Sequence, residues 1–369
     1  MTSSNTDGHT DIGRLTERWL DVVASGPGGG LGDGDFVRSP AGLWLALGVV
    51  AAGAGGETAE ELEALLGVSG KEAAGAVGAV ARALEGTDAL EVATCVWSRV
   101  PLYRAFKEAL PQIALGNLDQ AAIDAWVREA TGGMIEELPV RLGDDTLLAV
   151  VNALALKAPW RYPFEESDTD VRDFTDAAGV RHEVMVMHQE VSLADVWDVG
   201  ATRVVELRTR SERGGAPVRV RFLLGEEGAG PREVLPAGWA GQAARVPLAA
   251  DAVSIALPRM ELRTTDEVTD RLAELGVHRA TGEDADFSGM SPEPLAVSRV
   301  VQEALLKVRE EGVEAAAVTA VLMAPAGAAP PRRIRMEWVR FDRPFGVVVL
   351  DGAGELPLFI AWQEGAPKG

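Results

Sequence analysis

Few residues in this chain have a type and spacing that could do covalent chemistry. Its histidines are His9, His182, His188 and His278. His188 lies in "VMVMHQ", which alternates as a strand does and shows no metal-ligand spacing. Cys95 is the single cysteine, so an intrachain disulfide is impossible. Within the apolar run "LEVATCVWS" it reads as a small core residue and not a nucleophile. Asp284 and Asp286 in "GEDADFSGM" could form a carboxylate pair, but a solvated turn accounts for them. "GAGAGGET" closes a helix where a dinucleotide loop would open one after a strand. No G-x-S-x-G elbow and no phosphate loop with its lysine is present. The motifs do not point to an enzyme, and no cofactor or metal is expected.

One stretch could instead be acted upon. "EEGVEAAAVTAVLMAPAGAAPPRR", from Glu310 to Arg333, is apolar and small and nearly uncharged after Glu314. Between Gly312 and Ala324 it has no proline, so its backbone N–H donors run unbroken. Strand periodicity puts Val313, Ala315, Ala317, Thr319, Val321 and Met323 on one face, all uncharged. Glu314 falls on the other face, where it can stay solvated. The segment therefore has the makings of a strand in waiting, with Gly312 as a flexible entry point. The rival reading is an Ala-rich loop that never pairs.

The chain around it is ordinary globular material, 369 residues at 47% hydrophobic and 25% charged. A net charge of −21 argues against nucleic acid and anionic membrane as partners. "MTSSNTDGHTDIGR" has neither the basic nor the apolar region of a secretory signal. No apolar run is long and hydrophobic enough for a membrane span. A cytoplasmic monomer is expected, with a disordered tail over residues 1–12. The Ala, Gly and Arg bias reads as high-GC codon usage.

The elements that must position the segment are mixed. "LTERWLDVVASG", "SPAGLWLALGVVAAGAGG", "ETAEELEALLG" and "AAIDAWVREATGGMIEEL" read as helices, the second capped by Ser39 with Pro40 at its first position. "TLLAVVNALALKAPW" is a near-continuous apolar run, the mark of a strand buried on both faces. "RVVELRT" and "VRVRFLLG" read as paired strands. "VSIALPRMELRT" is a strand broken at Pro258, and "TDEVTDRLAELG" a capped helix. "RIRMEWVRFDRPFGVVVLD" and "LPLFIAWQEG" close the chain as strands around "GAGE". Helices dominate the first half and strands the second. That pattern, without repeat or linker, is one α+β domain over residues 13–369.

Several of these stretches, in order, resemble the serpin family. They are "FVRSPAGLWLALGVVAAGAGGETAEELEALLG", "IDAWVREATGGMI", "VNALALKAPWRYPFEESDTDVRDF", "DADFSGMSPEPLAVSRVVQEALLKVREEGVEAAAVTA" and "RFDRPFGVVVL". The resemblance runs from about Phe36 to the C-terminus. It implies a serpin fold of three β-sheets and about nine helices, with a reactive-centre loop near residues 310–335. It also implies suicide inhibition of serine or cysteine proteases, serine proteases first. In that mechanism the cut loop, still acylating the protease, inserts into the main sheet as a new strand.

On this resemblance the hinge comprises Glu310, Glu311, Gly312, Val313, Glu314, Ala315, Ala316, Ala317 and Thr319. Glu310 is expected to pair with a basic group in the underlying sheet. Counting from the hinge places the scissile bond at Ala326–Gly327, which suits an elastase-like or subtilisin-like enzyme. Counting back from "RFDRPF" places it at Arg332–Arg333, which suits a trypsin-like one, and Met323 is a minor alternative. The first count is preferred because the second leaves a long slack tether. Ser39, Gly42, Asn152 and Gln302 stand where the family controls sheet opening. Gly42 and Gln302 depart from the family pattern there, Gly42 lacking a hydroxyl. A non-inhibitory member, a binding module or a fold reused as an enzyme, is therefore the alternative. Trp97, Trp126 or Trp160 lining a cavity would be its mark.

Overall fold

The computed structural model describes residues 3–24, 34–87, 90–138, 140–143, 146–156, 158–211, 214–313 and 335–369. The α-helices among them are α1 (Ser3–Ala24), α2 (Pro40–Ala52), α3 (Gly56–Leu66), α4 (Gly70–Glu85), α5 (Arg104–Ala109), α6 (Gln120–Ala130) and α7 (Pro231–Val234). These seven, the last of only four residues, are fewer than the nine expected. "TDEVTDRLAELG" accounts for part of the difference. Its first residues extend a strand, and only Val268–Arg271 winds into a short 3-10 turn. That strand must run on to match its long neighbour, and Asp266 on it is fixed by Arg38 at 2.7 Å. "GKEAAGAVGAVARALE", which the sequence reading did not assign, is α4.

Helix α1 begins well before residue 13, inside the tail assigned to disorder. Ile12, Leu15 and Trp19 recur at helical spacing and are wholly buried. Ser39 caps α2 as expected, its hydroxyl accepting from Gly42 N at 3.1 Å.

Three sheets make up the rest. The main sheet runs β3 (Ala114–Asn117), β2 (Leu90–Ser98), β4 (Leu148–Leu156), β14 (Arg299–Val308), β15 (Gly312–Val313) and β5 (Ala158–Pro159), with β13 (Met260–Glu267) also paired to β14. A second sheet runs β1 (Phe36–Arg38), β18 (Pro357–Gln363), β17 (Phe345–Leu350), β10 (Arg219–Leu224), β9 (Thr202–Arg208), β8 (Val196–Val199) and β11 (Val246–Pro247). The third has β16 (Met336–Arg340), β12 (Ala252–Pro258), β7 (Arg181–Val191) and β6 (Thr169–Thr175). The break at Pro258 divides β12 from β13 and so passes the chain from one sheet to another.

Strand β4 is buried at all nine residues, as its apolar run requires. Its alternate side chains enter two cores. Val150 and Leu154 join the main cluster with α2, while Ala149, Val151 and Ala153 pack with Ile123 and Val127 of α6. Among the described residues no helix is long and apolar enough to cross a membrane.

Candidate functional site: the root of the loop and the seam beneath it

Strand β14 has two unlike neighbours. On one side β13 pairs with it antiparallel over its whole length, Met260 opposite Val308 through Glu267 opposite Val301. On the other side β4 pairs with it in parallel, from Arg299 opposite Ala149 to Leu305 opposite Ala155. Beyond Leu305 the two strands diverge. Into the fork comes β15, with Val313 opposite Val308 of β14 on one edge and Ala158 of β5 on the other. The first residues of the loop thus already lie as an antiparallel strand between β14 and the continuation of β4.

Gly312 is required there by close approach. A Cβ on it would lie 2.6 Å from Pro159 Cα and closer still to the Ala158 carbonyl oxygen. Both obstacles are backbone and cannot swing aside. The sequence suggested flexibility at this glycine, and the packing supplies a stricter reason. Val313 beside it is fully buried.

Glu310 is buried and meets Arg259, whose guanidinium reaches it at 2.6 Å and donates through Nε at 2.8 and 3.0 Å. Thr169 Oγ1 donates to the same carboxylate at 2.7 Å. Burial pushes its carboxyl up, but the Arg259 and Thr169 bonds outweigh that and hold it below the usual value. The basic partner left unnamed by the sequence is Arg259, placed by the break between β12 and β13. Trp160 completes the root. Its indole donates to Arg309 O at 2.9 Å and its backbone N–H to Glu311 O at 2.8 Å.

Lower in the seam, Ser39, Gly42, Asn152 and Gln302 come together. Gln302 and Asn152 are register partners across the parallel pair. Gln302 Oε1 accepts from Ser39 N at 2.8 Å, and its Nε2 donates to Ser39 O at 2.9 Å and to Asn152 Oδ1 at 3.3 Å. Asn152 donates on to Thr94 Oγ1 at 2.8 Å, a partner the sequence offered no signal for. Ser39 Oγ donates to Leu358 O at 2.6 Å, tying α2 to β18. The Gln302–Asn152 bond, which crosses the seam, is the longest of those named here. Gly42 leaves no void. A Cβ there would stand 2.6 Å from Leu154 Cδ1 and closer to Asn152 Oδ1, so Asn152 occupies the room a larger residue would need.

Glu314, Ala315, Ala316, Ala317, Thr319, Met323, Ala326, Gly327, Arg332 and Arg333 lie outside the described residues. Cys95 is buried, its thiol pushed up to about 12 by desolvation. Trp97 and Trp160 are buried as well, Trp97 packing edge-on to Trp126 at 6.2 Å between ring centroids. His188 bonds Asp170 at 3.0 Å and His182 bonds Asp176 at 2.7 Å. Among the described residues no group of three or more His, Cys, Asp or Glu could hold a metal ion.

Comparison with known proteins fits this geometry. Residues 31–362 match the family described as Serpin (serine protease inhibitor). The chain belongs to the serpin family. It is 28% identical to Iripin-2 of Ixodes ricinus over 90% of this chain and 87% of that protein. It is 31% identical to a serine proteinase inhibitor of Cavia porcellus, over 64% of this chain and only 56% of that protein. Among solved structures, Serpin48 of Tenebrio molitor superposes with a TM-score of 0.82 at 23% identity, over 99% of this chain and 100% of that one. Human thyroxine-binding globulin, solved in complex with thyroxine, reaches 0.81 at 19% identity, over 98% and 100%. The fold is thus shared by a protein described as a serpin and by a thyroxine-binding globulin.

Proposed function

We propose that this serpin is a suicide inhibitor of serine proteases that works by strand insertion. The protease serine attacks a loop carbonyl carbon, the peptide bond breaks, and the leaving amine takes the proton. The acyl ester that remains tethers the protease to the new C-terminus of the loop. The loop then enters between β4 and β14, dragging the protease along.

The observation that carries this reading is the seating of Val313 between β14 and β5. It fixes the register in which the segment would continue. With Val313 opposite Val308, each further loop residue falls opposite the preceding residue of β14. Ala315 would face Leu306, Thr319 would face Gln302, and Leu322 would face Arg299 at the strand's start. Val313, Ala315, Ala317, Thr319, Val321 and Met323 would then share the α2 face of the sheet. That is the uncharged set, and Glu314 takes the opposite face. The seam is used up at about Met323. A cut after Ala326 leaves a short tether, whereas a cut after Arg332 leaves a long slack one. The register therefore favours Ala326–Gly327, and with it an elastase-like or subtilisin-like target, over Arg332–Arg333 and a trypsin-like one.

The experiment mixes the protein with pancreatic elastase, subtilisin and trypsin, runs denaturing gels, and identifies the released C-terminal peptide. A complex that survives denaturation, with cleavage after Ala326, is the expected result. Clipping without a complex moves the question to the melting of the cut protein. A large rise in melting temperature then means insertion without trapping. The absence of any rise refutes insertion and favours the non-inhibitory alternative, to which Gly42 and the fold shared with a thyroxine-binding globulin point.

A further inference from the structure

Glu303 on β14 is a wholly buried carboxylate with no part in the loop root or in the Gln302 group. It lies on the α6 face of the main sheet, between Thr265 of β13 and Ala153 of β4 in register. Among the described residues its bonds run to one side only. Arg263 Nε donates to it at 2.6 Å, and Thr265 Oγ1 donates to its other oxygen. Both partners are on β13, which would move with β14 if the seam parted. The β4 side contributes Ala153, an uncharged neighbour that excludes water and offers no bond. The covering α6 region faces the same patch with Ile123, Val127, Ile135 and Leu138. The charged groups acting on Glu303 are Arg263, half-exposed, and Asp266, which opposes its ionisation.

We propose that Glu303 is a positioning residue whose charge state sets how readily the β4–β14 seam opens, ionisation favouring opening and protonation favouring the closed sheet. The inference rests on the insertion reading above. Its physics is linkage. In the closed sheet, desolvation raises the carboxyl above its usual value despite Thr265 and Arg263. Parting the strands removes Ala153, lets water reach the carboxylate and keeps both β13 donors in place. Opening therefore lowers the proton affinity of Glu303, and a step that releases a proton is favoured as pH rises. The antiparallel β13 edge, held by Glu303 in either state, stays shut, so the charge acts on the seam alone.

The probe is a fluorescent synthetic peptide of residues 313–323, offered to the intact protein as a surrogate strand. Its annealing rate is measured from about pH 5 to about pH 8 on wild type and on Glu303→Gln, which keeps the shape and an acceptor for Arg263. Wild type should anneal severalfold faster at the upper end than at the lower. Glu303→Gln should be flat and match the acid limb of wild type. Melting of the uncut proteins is the second measurement. Glu303→Gln should melt above wild type at the alkaline end and level with it at the acid end. Identical pH profiles for the two proteins sink the role of Glu303 alone. A wild type that accepts no peptide at any pH, and gains no stability on cleavage, sinks the insertion reading and this inference with it.

Discussion

Replacing Gly312 by alanine tests the seating of the loop with a single methyl group. The new Cβ would meet the Ala158 carbonyl oxygen and lie 2.6 Å from Pro159 Cα, short of the 3.4–4 Å of ordinary contact. Neither obstacle is a side chain, so β15 and β5 must move apart. The pairings of Gly312 with Pro159 and Val313 with Ala158 would loosen, at about 1 kcal/mol for each hydrogen bond lost. Partial exposure of Val313, now fully buried, adds about 1 kcal/mol. Alanine also stiffens the unfolded chain, which returns about 0.4–1 kcal/mol. The net cost is about 2 kcal/mol, or a fall of about 3 °C in melting temperature for a chain this long. Differential scanning calorimetry of the uncut protein reads it directly. A Gly312→Ala variant that melts level with or above wild type would refute the close-approach argument. It would leave the glycine explained by conformational freedom alone.

Two further substitutions probe the groups around the seam. Gly42→Ser restores a hydroxyl at that position, yet its Cβ would collide with Asn152 and Leu154; overpacking of about 2 kcal/mol should lower the melting temperature by about 3 °C. An unchanged or raised melting point would mean that Asn152 yields freely and that Gly42 marks a missing bond. Glu310→Gln weakens the bond network to Arg259 and Thr169 by about 1–2 kcal/mol at neutral pH. Because the folded Glu310 carboxyl is held below its usual value, its stabilisation is present above that value and fades as pH falls through the folded one. The melting difference from wild type should therefore shrink as pH falls below the ordinary glutamate range and vanish once the folded carboxyl is itself protonated. A difference that persists in strong acid would show that packing, and not charge, is what Glu310 contributes.

Much of this site could be read from residue patterns. The apolar continuity of "LLAVVNALAL" placed β4 in the centre of a covered sheet, and Ser39–Pro40 placed the start of α2. The serpin resemblance led to an ion pair at Glu310, without its partner. What escaped were facts of tertiary contact. Arg259 lies 51 positions from Glu310, and no periodicity links them. Thr94 meets Asn152 only because β2 and β4 are paired in that register. The strand character of Asp266 and Glu267 is imposed by β14 and overrides a local sequence that caps and spaces like a helix. Ile12 is covered because α1 packs on the core. Nothing in the polar residues before it signals that.

The parting line of the sheet also follows from connectivity. A chain that turns tightly after β14 can only return antiparallel to it. The β13 edge is filled over the whole strand, so the open course is between β14 and β4, where β15 already starts. Insertion along that course would replace one parallel interface by two antiparallel ones. Hydrogen bonds gained at about 1 kcal/mol each roughly offset the cost of ordering each residue, about 1–2 kcal/mol. The surplus must then come from side-chain burial, at about 1.5–3 kcal/mol for a large apolar group. In this segment the alanines Ala315, Ala316 and Ala317 come first, and Val318, Val321, Leu322 and Met323 follow. The early residues enter the fork with little gain and little steric demand. On the proposed mechanism the later ones would supply the pull, next to the proposed bond at Ala326 and so next to an attached protease. If the loop inserts as proposed, that order would deliver its driving force at the far end of the seam, where displacement of the protease would be greatest.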